Sequence, residues 1–136
     1  MEALVRAFLE PGNAYYAICN GEGELVAYCC FGPDARGPGG DYGPAAGGQA
    51  LDVGLGVRPD LTGQGRGGEY VQAVLDFARH CWSPAALRVT VAEFNQRAQR
   101  VWEKAGFRQV QRFGRTADGM PFVVLVNHRD TESTER

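Results

Sequence analysis

Residues 63–68 read GQGRGG, four glycines in six positions, directly ahead of a segment with helical periodicity. Gly63, Gly65, Gly67 and Gly68 strip the side chains from a stretch that is turning into a helix. The first N–H groups of a helix have no intrahelical acceptor, and with the helix dipole they form an anion site. Arg66 adds a positive charge to the same stretch. The chemistry that suits this arrangement is holding a phosphate or pyrophosphate against the backbone itself. The plain alternative is a glycine-rich turn with no ligand, which would lose chain entropy for no structural gain.

Two familiar phosphate loops fit poorly. The segment lacks G-x-x-x-x-G-K-[ST], which excludes a Walker loop. Gly63, Gly65 and Gly68 match G-x-G-x-x-G literally. In a dinucleotide fold, however, the glycines follow their strand at once, and an acidic ribose ligand stands roughly 20 residues on. Here Arg58–Thr62 intervenes, and Leu87–Arg88 occupy the acidic position. A nicotinamide-dinucleotide module is thus the weakest of the ligand readings.

The elements that must position this loop can be read from periodicity. Residues 50–57 (ALDVGLGV) alternate, with Leu51, Val53, Leu55 and Val57 on one face and Asp52, Gly54 and Gly56 on the other. That predicts a strand with one nearly bare face, where something approaches the backbone closely. After the loop, Val71, Val74, Leu75, Ala78 and Trp82 form one apolar helical stripe that ends at Ser83–Pro84. Residues 87–91 (LRVTV) predict a strand. Phe94, Ala98, Val101, Trp102 and Ala105 predict a second amphipathic helix, with Asn95 as N-cap and Gly106 as terminator. Residues 14–19 and 25–31 predict one hairpin around Asn20–Glu24, and residues 108–113 and 122–126 another around Thr116–Pro121. The first eleven residues predict a short helical turn carrying Leu4, Val5, Phe8 and Leu9. Residues 32–49, rich in glycine with three prolines, predict a long loop, and residues 128–136 a frayed apolar-free tail.

The expected order is β-β-β-α-β-α-β-β, a single domain over residues 1–127. The fold class is α/β (α+β in some schemes), with a mixed, mostly antiparallel sheet around a central β-α-β-α unit and a reduced N-terminal helical region. The strand–helix–strand unit implies a parallel crossover.

Composition narrows the class further. The chain has 136 residues, 44% hydrophobic and 22% charged, with net charge −2, the profile of a globular domain. Its longest apolar run, residues 25–31, is far short of the ~20 needed to span a bilayer, and MEALVRAFLE has no basic signal region. Cys19, Cys29, Cys30 and Cys81 show no C-x-x-C spacing, and His80 and His128 are the two histidines, so neither a metal site nor a disulfide framework is expected. Reduced, mostly buried thiols point to the cytoplasm. Residues 1–57 carry net −5 and residues 58–136 net +3. A basic half in an acidic protein suits a local anionic ligand and not nucleic acid.

Val57–Pro59, the run LTGQGRGG at residues 61–68, Asn95-x-x-Ala98 and VWEKAGF at residues 101–107 together resemble the GCN5-related N-acetyltransferase (GNAT) superfamily. The resemblance implies acetyl-coenzyme A (acetyl-CoA) as donor. It implies that Gln64, Gly65, Arg66, Gly67 and Gly68 grip the pyrophosphate, with Gly63 shaping the turn. It implies that Leu55, Gly56 and Val57 lend backbone groups to the pantetheine arm, which would lie along the bare Gly54/Gly56 face. Residues 87–91 would splay away to leave a wedge for the thioester, and Asn95 would contact the cofactor, a role its helix cap does not exclude. Arg100 and Lys104 are candidates for outer phosphates, with surface solvation as the plainer role.

The sequence departs from the family in three places. Thr62 replaces the usual Arg or Gln. Trp102 stands where a tyrosine often protonates the leaving thiolate, and an indole N–H is a donor only. Few residues precede Ala14, so a shortened chain, a dimer partner or the glycine-rich loop are the options for completing the acceptor wall.

The implied chemistry is direct attack of a neutral amine on a thioester, which needs a proton acceptor and a fixed N–H donor for the oxyanion. The candidate bases are Asp52 and Glu93, with Tyr42 behind them; the candidate oxyanion donor is the backbone near Leu55. Cys81 lacks an activating His–acid arrangement and is not expected to carry an acyl group. The principal expectation is an N-acetyltransferase acting on a primary amine; a non-catalytic acyl-CoA binder is the alternative.

Overall fold

The computed structural model describes residues 4–7, 15–32, 35 and 50–128, the first of these by backbone alone. Most of the expected 32–49 loop, including Tyr42, lies outside the described residues, as do Phe8, Leu9 and residues 129–136.

Among the described residues seven strands form one sheet: β1 (Leu4–Ala7), β2 (Tyr15–Cys19), β3 (Leu25–Phe31), β4 (Leu51–Val57), β5 (Ala86–Ala92), β6 (Arg108–Gly114) and β7 (Pro121–His128). Two helices cross it in sequence, α1 (Gly67–Trp82) and α2 (Gln96–Lys104). The strand order is β1-β2-β3-β4-β5-β7-β6, and among the described residues β4–β5 is the single parallel pairing. The mixed, mostly antiparallel sheet around a β-α-β-α unit is as the sequence implies.

The N-terminal helical turn is corrected. Leu4–Ala7 is a strand that pairs antiparallel with β2, from Leu4↔Cys19 to Ala7↔Tyr16. An isolated turn cannot meet the cost of helix nucleation, whereas a sheet edge bonds its backbone groups directly. β7 also continues through His128, where the tail was expected to begin.

The core lies between the sheet and the two helices. Val53, Leu87, Val89, Val123 and Leu125 from the strands meet Val71, Val74, Leu75 and Ala78 of α1, all of them buried. This confirms most of the predicted stripe, although its last member, Trp82, is 42% exposed at the helix end. Its ring still packs on Phe31, centroids 4.8 Å apart. α1 stops there because Ser83 takes a left-handed conformation (φ +47°) and donates its N–H to Arg79 O. Phe94, expected on the α2 stripe, precedes the helix and is 73% exposed.

The feature that shapes the site is the junction of β4 and β5. Their register has two pairs, Leu51↔Leu87 and Asp52↔Arg88, after which the strands part. β5 instead stays with β7 over its whole length, from Ala86↔His128 to Ala92↔Phe122. β4 stays with β3, from Phe31↔Val53 to Ala27↔Val57. The expected wedge therefore opens beyond Asp52.

Candidate active site

The phase of the β3–β4 ladder decides which backbone groups enter the wedge. Gly32 donates its N–H to Asp52 O at 2.9 Å, and Arg58 donates to Val26 O at 2.9 Å. Bonding positions alternate along an antiparallel pair. The even-numbered residues of β4, Gly54 and Gly56 included, thus direct their N–H and C=O groups at β3. Leu55 and Val57 direct theirs away from β3, into the gap that β5 has left. Leu55 N–H thereby faces the wedge.

A short 3-10 turn, Pro59–Leu61, links β4 to the glycine loop. The Arg58 guanidinium holds Asp60 through two bonds, of 2.7 and 3.2 Å, and also donates to Leu25 O at 3.0 Å. The same guanidinium keeps the Asp60 carboxyl below its ordinary pKa. Gln64 Nε2 donates to Asp60 O at 2.7 Å, which ties the loop to the turn. Gly63 and Gly65 take positive φ, +75° and +79°, where a side chain would strain the backbone. Gly67 sits so close to α2 that a Cβ there would lie 3.1 Å from Val101. Among the described residues, the N–H groups of Gly63, Gln64, Gly65, Gly67 and Gly68 donate to no backbone carbonyl. The Arg66 side chain does not cap the start of α1.

The four glycine amides open on a cavity of about 400 Å³ between the N-terminus of α1, α2 and the end of β4. Leu55, Val57, Val71, Val101 and Trp102 give it apolar walls; Gly63, Gly65, Gly67, Gly68, Asn95, Arg97 and Lys104 give it a polar, basic rim. Gln64 and Arg66 line an adjoining depression instead, and Arg66 Nη1 lies 3.3 Å from Glu69 Oε1. Asn95 caps α2, its Oδ1 accepting from Ala98 N–H at 3.1 Å, and borders the cavity as well.

Two side-chain placements run against the sequence reading. The Gly54/Gly56 face is not bare. A Cβ at Gly54 would meet Cys30 Sγ at 3.0 Å, and a Cβ at Gly56 would overlap the Tyr28 ring. The glycines make room for protein neighbours across the β3–β4 pair, while the cavity lies on the Leu55/Val57 face. Gly56 commits its backbone to β3 and does not line the cavity.

The structure also commits both candidate bases to arginines. Asp52 is buried and accepts from Arg88 Nε at 2.6 Å and Nη2 at 2.9 Å. Glu93 accepts from Arg112 Nε at 2.6 Å and Nη2 at 3.0 Å, and this guanidinium lowers its pKa. Glu93, so held, is a poor proton acceptor, and both carboxylates have their oxygens engaged by a guanidinium.

Trp102 is 4% exposed and packs edge-on against Phe107, centroids 5.0 Å apart. It walls the cavity without supplying a phenol. Arg97 was not singled out by sequence reasoning, yet a Cβ at Gly63 would lie 3.5 Å from its guanidinium carbon. Its place in the first turn of α2, two residues after Asn95, was the available signal. Lys104 reaches the rim, whereas Arg100 does not line the cavity. Among the described residues no group of three or more metal-ligating side chains occurs, and no helix is long and apolar enough to cross a membrane.

Comparison with known proteins agrees with this geometry. No curated protein sequence matches the chain significantly. Solved structures do. A GNAT-family acetyltransferase from Bacillus anthracis aligns with TM-score 0.63 at 18% identity, covering 85% of this chain and 66% of that one. AAC(6')-Ib in complex with ribostamycin and coenzyme A aligns with TM-score 0.66 at 23% identity, covering 90% and 67%. A spermidine N-acetyltransferase variant from Vibrio cholerae aligns with TM-score 0.65 at 13% identity, covering 85% and 65%. The chain thus spans slightly less than two thirds of the first and third of these proteins, and at such identities the likeness is one of fold. The family itself is settled by sequence: the profile described as "Acetyltransferase (GNAT) family" matches residues 1–107, so this chain belongs to that family.

Proposed function

We propose that the protein transfers an acetyl group from acetyl-CoA to a primary amine. One observation carries this reading: unbonded loop amides and a strand-edge N–H border one continuous space. The amides of Gly63, Gly65, Gly67 and Gly68 stand at its basic rim, and Leu55 turns its N–H into the wedge at its apolar end. The donor set suits the cosubstrate, since a diphosphate needs clustered N–H groups and cations, and an extended thiol arm needs apolar walls with a few backbone partners.

The residues divide the work accordingly. Gly63, Gly65, Gly67 and Gly68 present amides to the diphosphate, and Arg97 and Lys104 supply positive charge beside them. Leu55 and Val57 offer backbone groups to the arm, and Asn95 borders it. Bound acetyl-CoA supplies the thioester carbonyl. Leu55 N–H stabilises the negative charge that develops on the carbonyl oxygen during attack. Asp52 is assigned a structural part, because its carboxylate is spent on Arg88.

The neighbours' descriptions name ribostamycin in one and spermidine in another, and both compounds are amines. They support an amine acceptor here without selecting one. The free cysteines suit a reducing cytoplasm. A second copy of the chain completing the acceptor wall remains part of the proposal, and sedimentation tests it.

A thermal melt with acetyl-CoA, coenzyme A and NAD tests the binding half; acetyl-CoA and coenzyme A should each raise the midpoint, and NAD should not. Thiol release with a panel of amines tests turnover. The burial of Trp102 where a tyrosine is usual favours a second reading, a non-catalytic acyl-CoA binder. It predicts the melt shift with no thiol release on any amine.

A further inference from the structure

The acceptor must reach the carbonyl from a side that the donor does not fill. The helix face of the wedge is closed by α1 and α2 around the cavity, so the opposite face of the sheet is the one left for the amine. What that face presents at the level of Leu55 follows from the register. Tyr28 stands opposite Gly56, and both point away from the helices. With no side chain at Gly56, the Tyr28 ring lies across β4, its hydroxyl oxygen 2.9 Å from where a Gly56 Cβ would be. The ring thus runs from β3 over β4 toward the gap left by β5.

We propose that Tyr28 is a catalytic residue of the transfer, its hydroxyl receiving the acceptor amine over Gly56 and relaying its proton. This rests on the acetyltransferase reading above. Four observations support it. The hydroxyl has no hydrogen-bond partner among the described residues, and Tyr28 is 43% exposed. Tyr15 stacks on the ring at 6.4 Å and 27°, which limits its swing. The ring borders a depression of about 280 Å³ shared with Leu25, Gly56, Val57 and Arg58, space for an acceptor to lie in. The competing proton acceptors, Asp52 and Glu93, are bound to arginines, and Tyr70 lies buried on the helix side.

A phenol both accepts and donates a hydrogen bond, which a relay needs. As the amine nitrogen bonds to the carbonyl carbon and the carbon–sulfur bond breaks, the phenol oxygen takes the N–H proton. The phenol's own proton passes to the departing sulfur. The products are the amide and the free thiol, and Tyr28 ends as it began, so no further reactant is needed.

The test is Tyr28→Phe, which keeps the ring over Gly56 and removes the hydroxyl alone. The expected result is an unchanged acetyl-CoA melt shift with kcat lowered about 100-fold, the low end for a lost proton-transfer group. Calorimetric titration of the amine into coenzyme A-loaded protein should show weaker binding by the variant. Wild-type turnover with Tyr28→Phe within about twofold of it would overturn the role of Tyr28 and leave the acetyltransferase reading intact. A melt shift without wild-type turnover on any amine would overturn both.

Discussion

Asp52 and Arg88 face each other across the last register pair that joins β4 to β5, and their side chains meet there in a buried two-bond ion pair. The pair sits at the apex of the wedge. Removing one partner of such a pair leaves an uncompensated buried charge, at a cost of about 3–5 kcal/mol. Asp52→Asn should therefore lower stability by that order, read as a reduced urea midpoint. A purely catalytic Asp52 would instead leave the midpoint unchanged and lower turnover.

The glycine loop offers a cleaner substitution than its most crowded member. A Cβ at Gly68 meets nothing within 4 Å, whereas one at Gly67 meets Val101 at 3.1 Å. Gly68→Glu should fold with its ligand-free melting midpoint unchanged and lose the rise caused by acetyl-CoA. In the wild-type protein that ligand, at a hundred times its Kd, should add about 2.7 kcal/mol. Gly67→Glu should lose the rise and also melt earlier.

Arg97 and Arg100 are close in sequence and differ in place. Arg97 lines the cavity beside Gly63, and Arg100 does not line it. Arg97→Glu should weaken coenzyme A binding about tenfold, roughly 1.4 kcal/mol, with the loss shrinking at high salt. Arg100→Glu should change affinity by less than about twofold, as expected for a solvated charge. Isothermal titration at two salt concentrations separates them.

Cys29 lies fully buried on β3, and burial, with the neighbouring Cys30, pushes its thiol up to about 12. The folded protein then keeps a proton that the unfolded chain releases above about 9. Through this group stability is complete below pH 9 and falls as pH rises toward 12. Urea midpoints measured from pH 8 to 11 should decline more steeply in the wild type than in Cys29→Ala. With a thiol reagent at pH 8, exposed Cys81 should react first.

Much of this was legible in the sequence because the signals were local. Alternation located β4, the 3.6-residue stripe located α1, and Asn95 marked the start of α2. The glycine loop announced an anion site because its chemistry is backbone chemistry. What escaped the sequence depended on pairing between distant residues. Asp52 reads as a lone carboxylate until β4 and β5 set it opposite Arg88. Gly56 reads as open until the hairpin register lays Tyr28 over it. Leu4–Ala7 carries too few residues to show a period, and its partner strand decides its conformation.

The two-pair junction has a mechanical consequence. The sheet is two leaves, β1–β4 and β5–β7, bound along a spine one register step long and covered on one side by the helices. Each leaf is laced internally over many residues, so strain within the sheet concentrates at that spine. A change of spacing between the leaves thus costs only the two pairs at that spine and leaves every pairing within each leaf intact.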